Sequence, residues 1–176
     1  MKKVLILSLI IGILAACSND DDLPQVSEIV VNEFCYGLNG AENAEVSAAF
    51  NKTTESVVQG VFTTEVNITG PNFSILDNDR LDGTGFLINL TLVSNENIAF
   101  QPGNYLIDPN TEIANAQVSY FEDFDTASTM NLGIVIESGI VVVRPYSTGY
   151  YIRIDGVDSQ GNDFHGIYLG DSRFIL

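Results

Sequence analysis

The hydrophobic pattern starts as one unbroken run and then changes character. Residues 4–14 are apolar apart from Ser8 and Gly12. After Pro24 no apolar stripe of helical period runs for a convincing length. Instead, short runs rich in Val, Ile, Thr, Phe and Tyr lie between Gly, Asn, Asp and Pro, which is the pattern of strands and turns. Residues 28–36 predict a first strand that ends near Asn39-Gly40, a strong turn dipeptide. Residues 44–50 suit a strand or a short helix, and 57–68 a long strand with a break near Thr64 allowed. Residues 85–93 alternate cleanly: Phe86, Ile88, Leu90 and Leu92 form a wholly apolar face, as in a strand with one side on a core.

A turn at 101–104 leads into a strand at 105–107. Residues 116–121 predict another, followed by an acidic loop at 122–125. The last third is the most regular. Residues 132–136, 140–144, 150–155 and 164–169 read as successive strands, with turns at 137–139, 147–149 and 158–162 and a closing strand at 174–176. Spacing this close permits hairpins and meanders but no βαβ crossover. The expected fold is all-β: an antiparallel β-sandwich of about nine to eleven strands, with a calycin-like up-and-down β-barrel as the alternative. Residues 26–176 form a single domain in this reading, with no internal repeat or linker.

The first run has a different meaning. Lys2 and Lys3 precede it, and about eleven apolar residues match a signal-peptide core, against the ~20 that a spanning helix needs. It ends in Leu14-Ala15-Ala16-Cys17. This resembles the bacterial lipobox at every position. The resemblance implies diacylglycerol on the Cys17 sulfur, cleavage before Cys17, and acylation of the new amine. Residues 1–16 are then the signal peptide and 17–25 a lipidated tether. Ser18, Asn19, Asp20, Asp21 and Asp22 cannot pack and repel one another, which suits an extended, hydrated spacer. The acidic stretch is similar to the signal that sends Bacteroidetes lipoproteins to the outer face of the outer membrane. Surface display and a lipid-mediated membrane contact are what that likeness implies.

The C-terminal third also resembles small β-rich Bacteroidetes lipoproteins. Pro102-Gly103-Asn104-Tyr105, Ser138-Gly139-Ile140-Val141-Val142-Val143, Tyr151-Ile152-Arg153-Ile154 and Gly166-Ile167-Tyr168-Leu169-Gly170 follow the order of a pattern that recurs there. The chain departs from it with Gly161-Asn162 where Asn-Gly is expected, and with Ile140 where Thr is commoner. These are turn glycines and strand aromatics, so they imply architecture and say nothing of chemistry.

Charge narrows the partners. The chain carries 23 acidic and 7 basic residues, for a formal charge of −16. Loss of residues 1–16 would remove Lys2 and Lys3 and no acid, making it more negative still. Nucleic acid is excluded as a partner, because binding there rests on basic groups neutralising phosphates. Catalytic constellations are sparse. His165 is the only histidine, and Cys35, within Phe34-Cys35-Tyr36, reads as a buried structural thiol. There is no Gly-x-Ser-x-Gly, and no His/Cys cluster of the kind zinc needs. No catalytic residue is assigned and no cofactor beyond the lipid is expected.

Calcium has two weak candidates. The loop 77–83 misses the Asp-x-Asp-x-Asp-Gly pattern, because Leu81 holds the third ligand position. Asp155, Asp158 and Asp163 surround a second turn. Tyr146, Tyr150 and Tyr151, and Phe121 and Phe124, are the candidate aromatic binding patches. Asp125-Thr126-Ala127 resembles the Bacteroidetes O-glycosylation sequon and makes Thr126 a modification candidate. The expected activity is a non-enzymatic binding or interaction module at the cell surface. A hydrolase acting on surface polysaccharide or peptide and a structural envelope component are the alternatives.

Overall fold

The computed structural model describes residues 30–56, 58–98, 100–110 and 112–175, and the structural statements concern these. The clearest alternation in the sequence lies in the longest strand. β6 (Leu81–Ser94) buries Phe86, Ile88, Leu90 and Leu92, while Asn89 and Thr91 lie on its other face. The remaining strands are β1 (Glu33–Tyr36), β2 (Glu42–Glu45), β3 (Ala48–Glu55), β4 (Phe62–Thr69), β5 (Phe73–Ile75), β7 (Gly103–Ile107), β8 (Asn115–Asp125), β9 (Ile134–Tyr146), β10 (Gly149–Asp158), β11 (Asp163–Gly170) and β12 (Ser172–Phe174). A 3-10 turn at Leu38–Gly40 separates β1 from β2 where Asn39-Gly40 predicts a turn. No α-helix occurs among the described residues, so 44–50 is extended and divides between β2 and β3.

The fold is all-β. Its sheet has 12 strands in the order β12-β3-β4-β6-β8-β7-β9-β10-β11-β1-β2, with β5 paired to β6. Half of the neighbours in that order are consecutive in sequence: β3-β4, β8-β7, β9-β10, β10-β11 and β1-β2. The two ends of that order are covalently joined. β2 runs into β3 through Val46-Ser47, and β11 runs into β12 through Asp171. Strand twist therefore curls the sheet back on itself, into a half-barrel. One sheet supplies both walls of the core, which gives the two facing apolar layers that a sandwich and a barrel have in common. The expectation of purely antiparallel pairing is corrected in two places. β12 pairs parallel with β3 across the closure, and β7 pairs parallel with β8. The second pairing has only the rungs Leu106–Asn115 and Ile107–Ala116, few enough for a compact loop to serve as the crossover.

The concave face holds the core. Phe34, Ile68, Ile88, Leu90, Tyr120, Ile152, Ile154 and Phe164 are all essentially inaccessible to solvent. Phe34, Phe164, Tyr120, Tyr36 and Phe86 form a chain of ring contacts with centroids 5.0–5.6 Å apart along it. This spacing is the range of favourable aromatic pairs.

Two sequence expectations fail for one physical reason, a strand that continues past residues normally found in turns. Residues 122–125 are the end of β8, not a loop. Residues 137–139 lie inside β9 and not in a turn between two strands. In β9 the buried positions are Ile136 on one side and Val141 and Val143 on the other, so the phase of alternation changes between them. A β-bulge causes the change: Val157 pairs with Ser138 but Asp158 with Ile136, leaving Glu137 as the extra residue. Gly139 sits at φ +141°, and a Cβ there would lie 2.1 Å from the Asp155 carbonyl oxygen. Only glycine lets β9 and β10 come this close.

Candidate functional site

The bulge borders a fork in the sheet. β8 and β9 pair directly only at Val118–Ile136, Ser119–Val135 and Tyr120–Ile134. Beyond that point β7 enters between them, antiparallel to β9 from Gly103–Val143 to Ile107–Gly139. β7 stops at Ile107, and the Asp108 N–H donates to the Ala116 carbonyl (3.0 Å) as the chain leaves the sheet. The interval between the last β8–β9 rung and the end of β7 is a groove of about 600 Å³. A volume of that size falls within the range of small-molecule sites.

Its floor and walls come from outward positions of three strands. Asn89 and Thr91 belong to β6, Gln117 and Ser119 to β8, and Val135 and Glu137 to β9; Asp108 and Pro109 close one end. Register aligns Asn67, Asn89, Ser119 and Val135 as one row across four strands. Asn89 Nδ2 donates to Asn67 Oδ1 (3.1 Å), and Gln117 Nε2 donates to the Pro109 carbonyl (2.7 Å). Each amide is thus fixed through its nitrogen. Among the described residues no hydrogen bond occupies the Thr91 or Ser119 hydroxyl. The bulge aims Glu137 toward the groove, as bulges commonly re-aim side chains.

A buried polar knot lies behind the groove. Asp158, 2% exposed, ends β10. Its Oδ1 accepts from the N–H groups of Gln160 (2.8 Å) and Asn162 (2.9 Å). Its Oδ2 accepts from Asn162 Nδ2 and from the Tyr120 hydroxyl, both at 3.2 Å. Burial opposes the charged form, but these donors outweigh it and hold the carboxyl below the ordinary aspartate range. Burial and the facing Asp158 charge push the Tyr120 phenol far above its ordinary value. The same turn holds the groove wall, since the Ser159 N–H donates to the Val135 carbonyl (2.9 Å). Asp158 therefore works as an Asx-type anchor of this turn.

A second arrangement also depends on register. Cys35, His165 and Asp155 are direct neighbours across β1, β11 and β10. The sequence shows no link between Cys35 and His165, and the fold sets them side by side. Asp155 Oδ2 is 2.6 Å from Arg153 Nε. Cys35 is 6% exposed, a buried position of β1. His165, Asp155 and Asp163 share a shallower concavity with Ser138. Among the described residues no group of three or more His, Cys, Asp or Glu is placed to hold a metal ion.

The sequence candidates fall in different places. Cys17 and the stretch Ser18, Asn19, Asp20, Asp21 and Asp22 lie outside the described residues. Thr126 follows the end of β8, and its hydroxyl is engaged. It accepts from the Gly83 N–H (3.1 Å) and lies 3.2 Å from both Asp82 Oδ1 and the Gly83 carbonyl. Thr126→Ala should therefore lower stability by about 1 kcal/mol in urea unfolding. The aromatic candidates are largely packed. Tyr150 stacks on Phe100 with centroids 4.3 Å apart, and Phe124 contacts Phe121 and Phe73 at 5.1 and 6.4 Å. Tyr146 is half exposed.

The groove residues escaped sequence reasoning because outward Asn, Thr, Gln and Ser look like any solvated strand face. Only strand register shows that they converge. Neither a family model, nor a curated protein, nor a solved structure matches this chain.

Proposed function

We propose that this chain is a lipid-anchored binding module of the bacterial outer membrane, displayed to the exterior, whose ligand site is the groove at the β8/β9 fork. The observation that carries the reading is the groove itself. Polar side chains from three strands converge there, two of them oriented by amide bonds and two with uncommitted hydroxyls. The membrane part rests on Lys2, Lys3, the apolar run and Leu14-Ala15-Ala16-Cys17. Several acyl chains on one residue give stable anchoring at about 0.8 kcal/mol per buried CH₂. The acidic tether supports display, and the strongly negative domain suits a surface protein that repels its neighbours.

Cys17→Ala should leave the protein unlipidated and move it from the membrane fraction to the soluble one. Continued metabolic labelling by a fatty acid would sink the anchor. Protease shaving of intact cells should digest the domain, and full protection would place it on the periplasmic side. An O-linked sugar on Thr126 would cost that hydroxyl its capacity to donate to Asp82, and intact mass detects such a sugar directly.

A further inference from the structure

We infer that the groove takes an uncharged, hydroxyl-rich ligand, an oligosaccharide segment, and that Asn89, Thr91, Gln117 and Ser119 recognise it. The inference rests on the groove being a ligand site and adds its chemistry. The lining decides the class. Asn89 and Gln117 each commit one amide N–H, to Asn67 and to Pro109, which orients the side chain. That leaves their carbonyl oxygens to accept bonds from a ligand. The Thr91 and Ser119 hydroxyls can donate or accept. A surface that offers fixed acceptors beside ambivalent hydroxyls suits a ligand that is itself rich in O–H groups. Val135, 53% exposed, and Pro109 supply apolar surface against which C–H faces can lie.

Charge disfavours an anionic ligand. An anionic ligand would meet Glu137 and Asp108 at the groove and a chain of formal charge −16 around it. No Lys, Arg or His lines the groove to offset them. A cationic ligand would meet Glu137 and Asp108, whose Oδ1 already accepts from the Asn110 N–H (2.8 Å), and the amino-sugar probes below test that class. A flat aromatic ligand would find no ring to stack on, as the lining holds no Phe, Tyr or Trp. Recognition by neutral hydrogen bonds also predicts little dependence on salt, unlike attraction between charges.

The test uses the full-length protein in detergent micelles and titrates it calorimetrically. The probes are soluble oligosaccharides built from neutral hexoses, pentoses and N-acetylhexosamines, with sulfated and amino-sugar oligomers as charged counterparts. At least one neutral probe should bind, with affinity changing less than about twofold between low and high salt. Ser119→Ala and Thr91→Ala, which disturb no hydrogen bond within the fold, should each weaken binding by about three- to tenfold. Asn89→Ala with Gln117→Ala should abolish it. Silence from every neutral probe overturns the ligand class. If only a charged oligomer binds, and the same variants weaken it, the class is wrong while the groove stands as a binding site. If a neutral oligosaccharide binds but none of the variants affects it, recognition lies elsewhere and the groove assignment falls with this inference.

Discussion

Asp158→Ala should destabilise the domain by about 3 kcal/mol at neutral pH, because it removes the one acceptor shared by four donors, the buried Tyr120 hydroxyl among them. The N–H groups of Gln160 and Asn162, the Asn162 amide and the Tyr120 hydroxyl all bond this carboxylate. For a domain of this size the loss corresponds to roughly 6–12 °C in Tm. Asp158→Asn should cost less, since an amide oxygen can still accept from two of them while its N–H₂ group faces the others. The native carboxyl titrates below the ordinary range. Its charge-dependent contribution is therefore full above the unfolded-state value near pH ~4 and is lost as pH falls through the native value. Unfolding in urea at pH 7 and at about pH 2.5 should show the gap between parent and Asp158→Asn narrowing on acidification. A gap of equal size at both values would mean that the buried group is not ionised in the native state.

Gly139→Ala is expected to be comparably severe, for a steric reason. Its φ of +141° strains any L side chain. The added Cβ would also lie 2.1 Å from the Asp155 carbonyl oxygen and 2.5 Å from the Gly156 Cα. Both obstacles are backbone, which no rotamer change can relieve, so β9 and β10 must separate at the bulge. The cost should reach about 3 kcal/mol or more. Gly161→Ala makes a sharp control. That glycine also has positive φ, +82°, but nothing lies within 4 Å of its Cβ position. Thermal melts of both variants separate conformational strain from collision. Equal losses would show that the close approach of β9 to β10 is not what the bulge requires. Separation of these strands would also shift Glu137, so Gly139→Ala should weaken ligand binding even below its melting point.

The periodic parts of the fold were legible in the sequence because burial there follows a simple period of two. Ala116, Val118 and Tyr120 are the buried positions of β8, and Phe86, Ile88, Leu90 and Leu92 form one face in the sequence and are buried in β6, where Leu87 and Val93 of the opposite face are buried too. The places that misled share a different physics. Residues 137–139 carry turn chemistry, yet they form a bulge whose extra residue resets the alternation of β9. The acidic end of β8 looks like a loop by composition, but Thr84 and Gly85 pair with it across the sheet. Parallel pairing at β7 and β12 depends on where distant segments meet, which no local window contains. The groove was illegible for the same reason: each of its polar residues is unremarkable alone, and their convergence is set by a register spanning β6, β8 and β9. The reverse held for His165, where local sequence suggested isolation and register gave it Cys35 and Asp155 as neighbours.

The joined ends of the sheet bear on when the chain can fold. β12 pairs with β3, and Asn51 bonds Ser172 at 2.6 Å across 121 positions of sequence. That seam cannot form until the last few residues are present, and contacts so distant make folding slow. A partly synthesised or partly threaded chain would hold β3 with one neighbour missing. On the proposed export route, along which the chain crosses a membrane as an extended polypeptide, such a late-closing seam defers the native state to the far side.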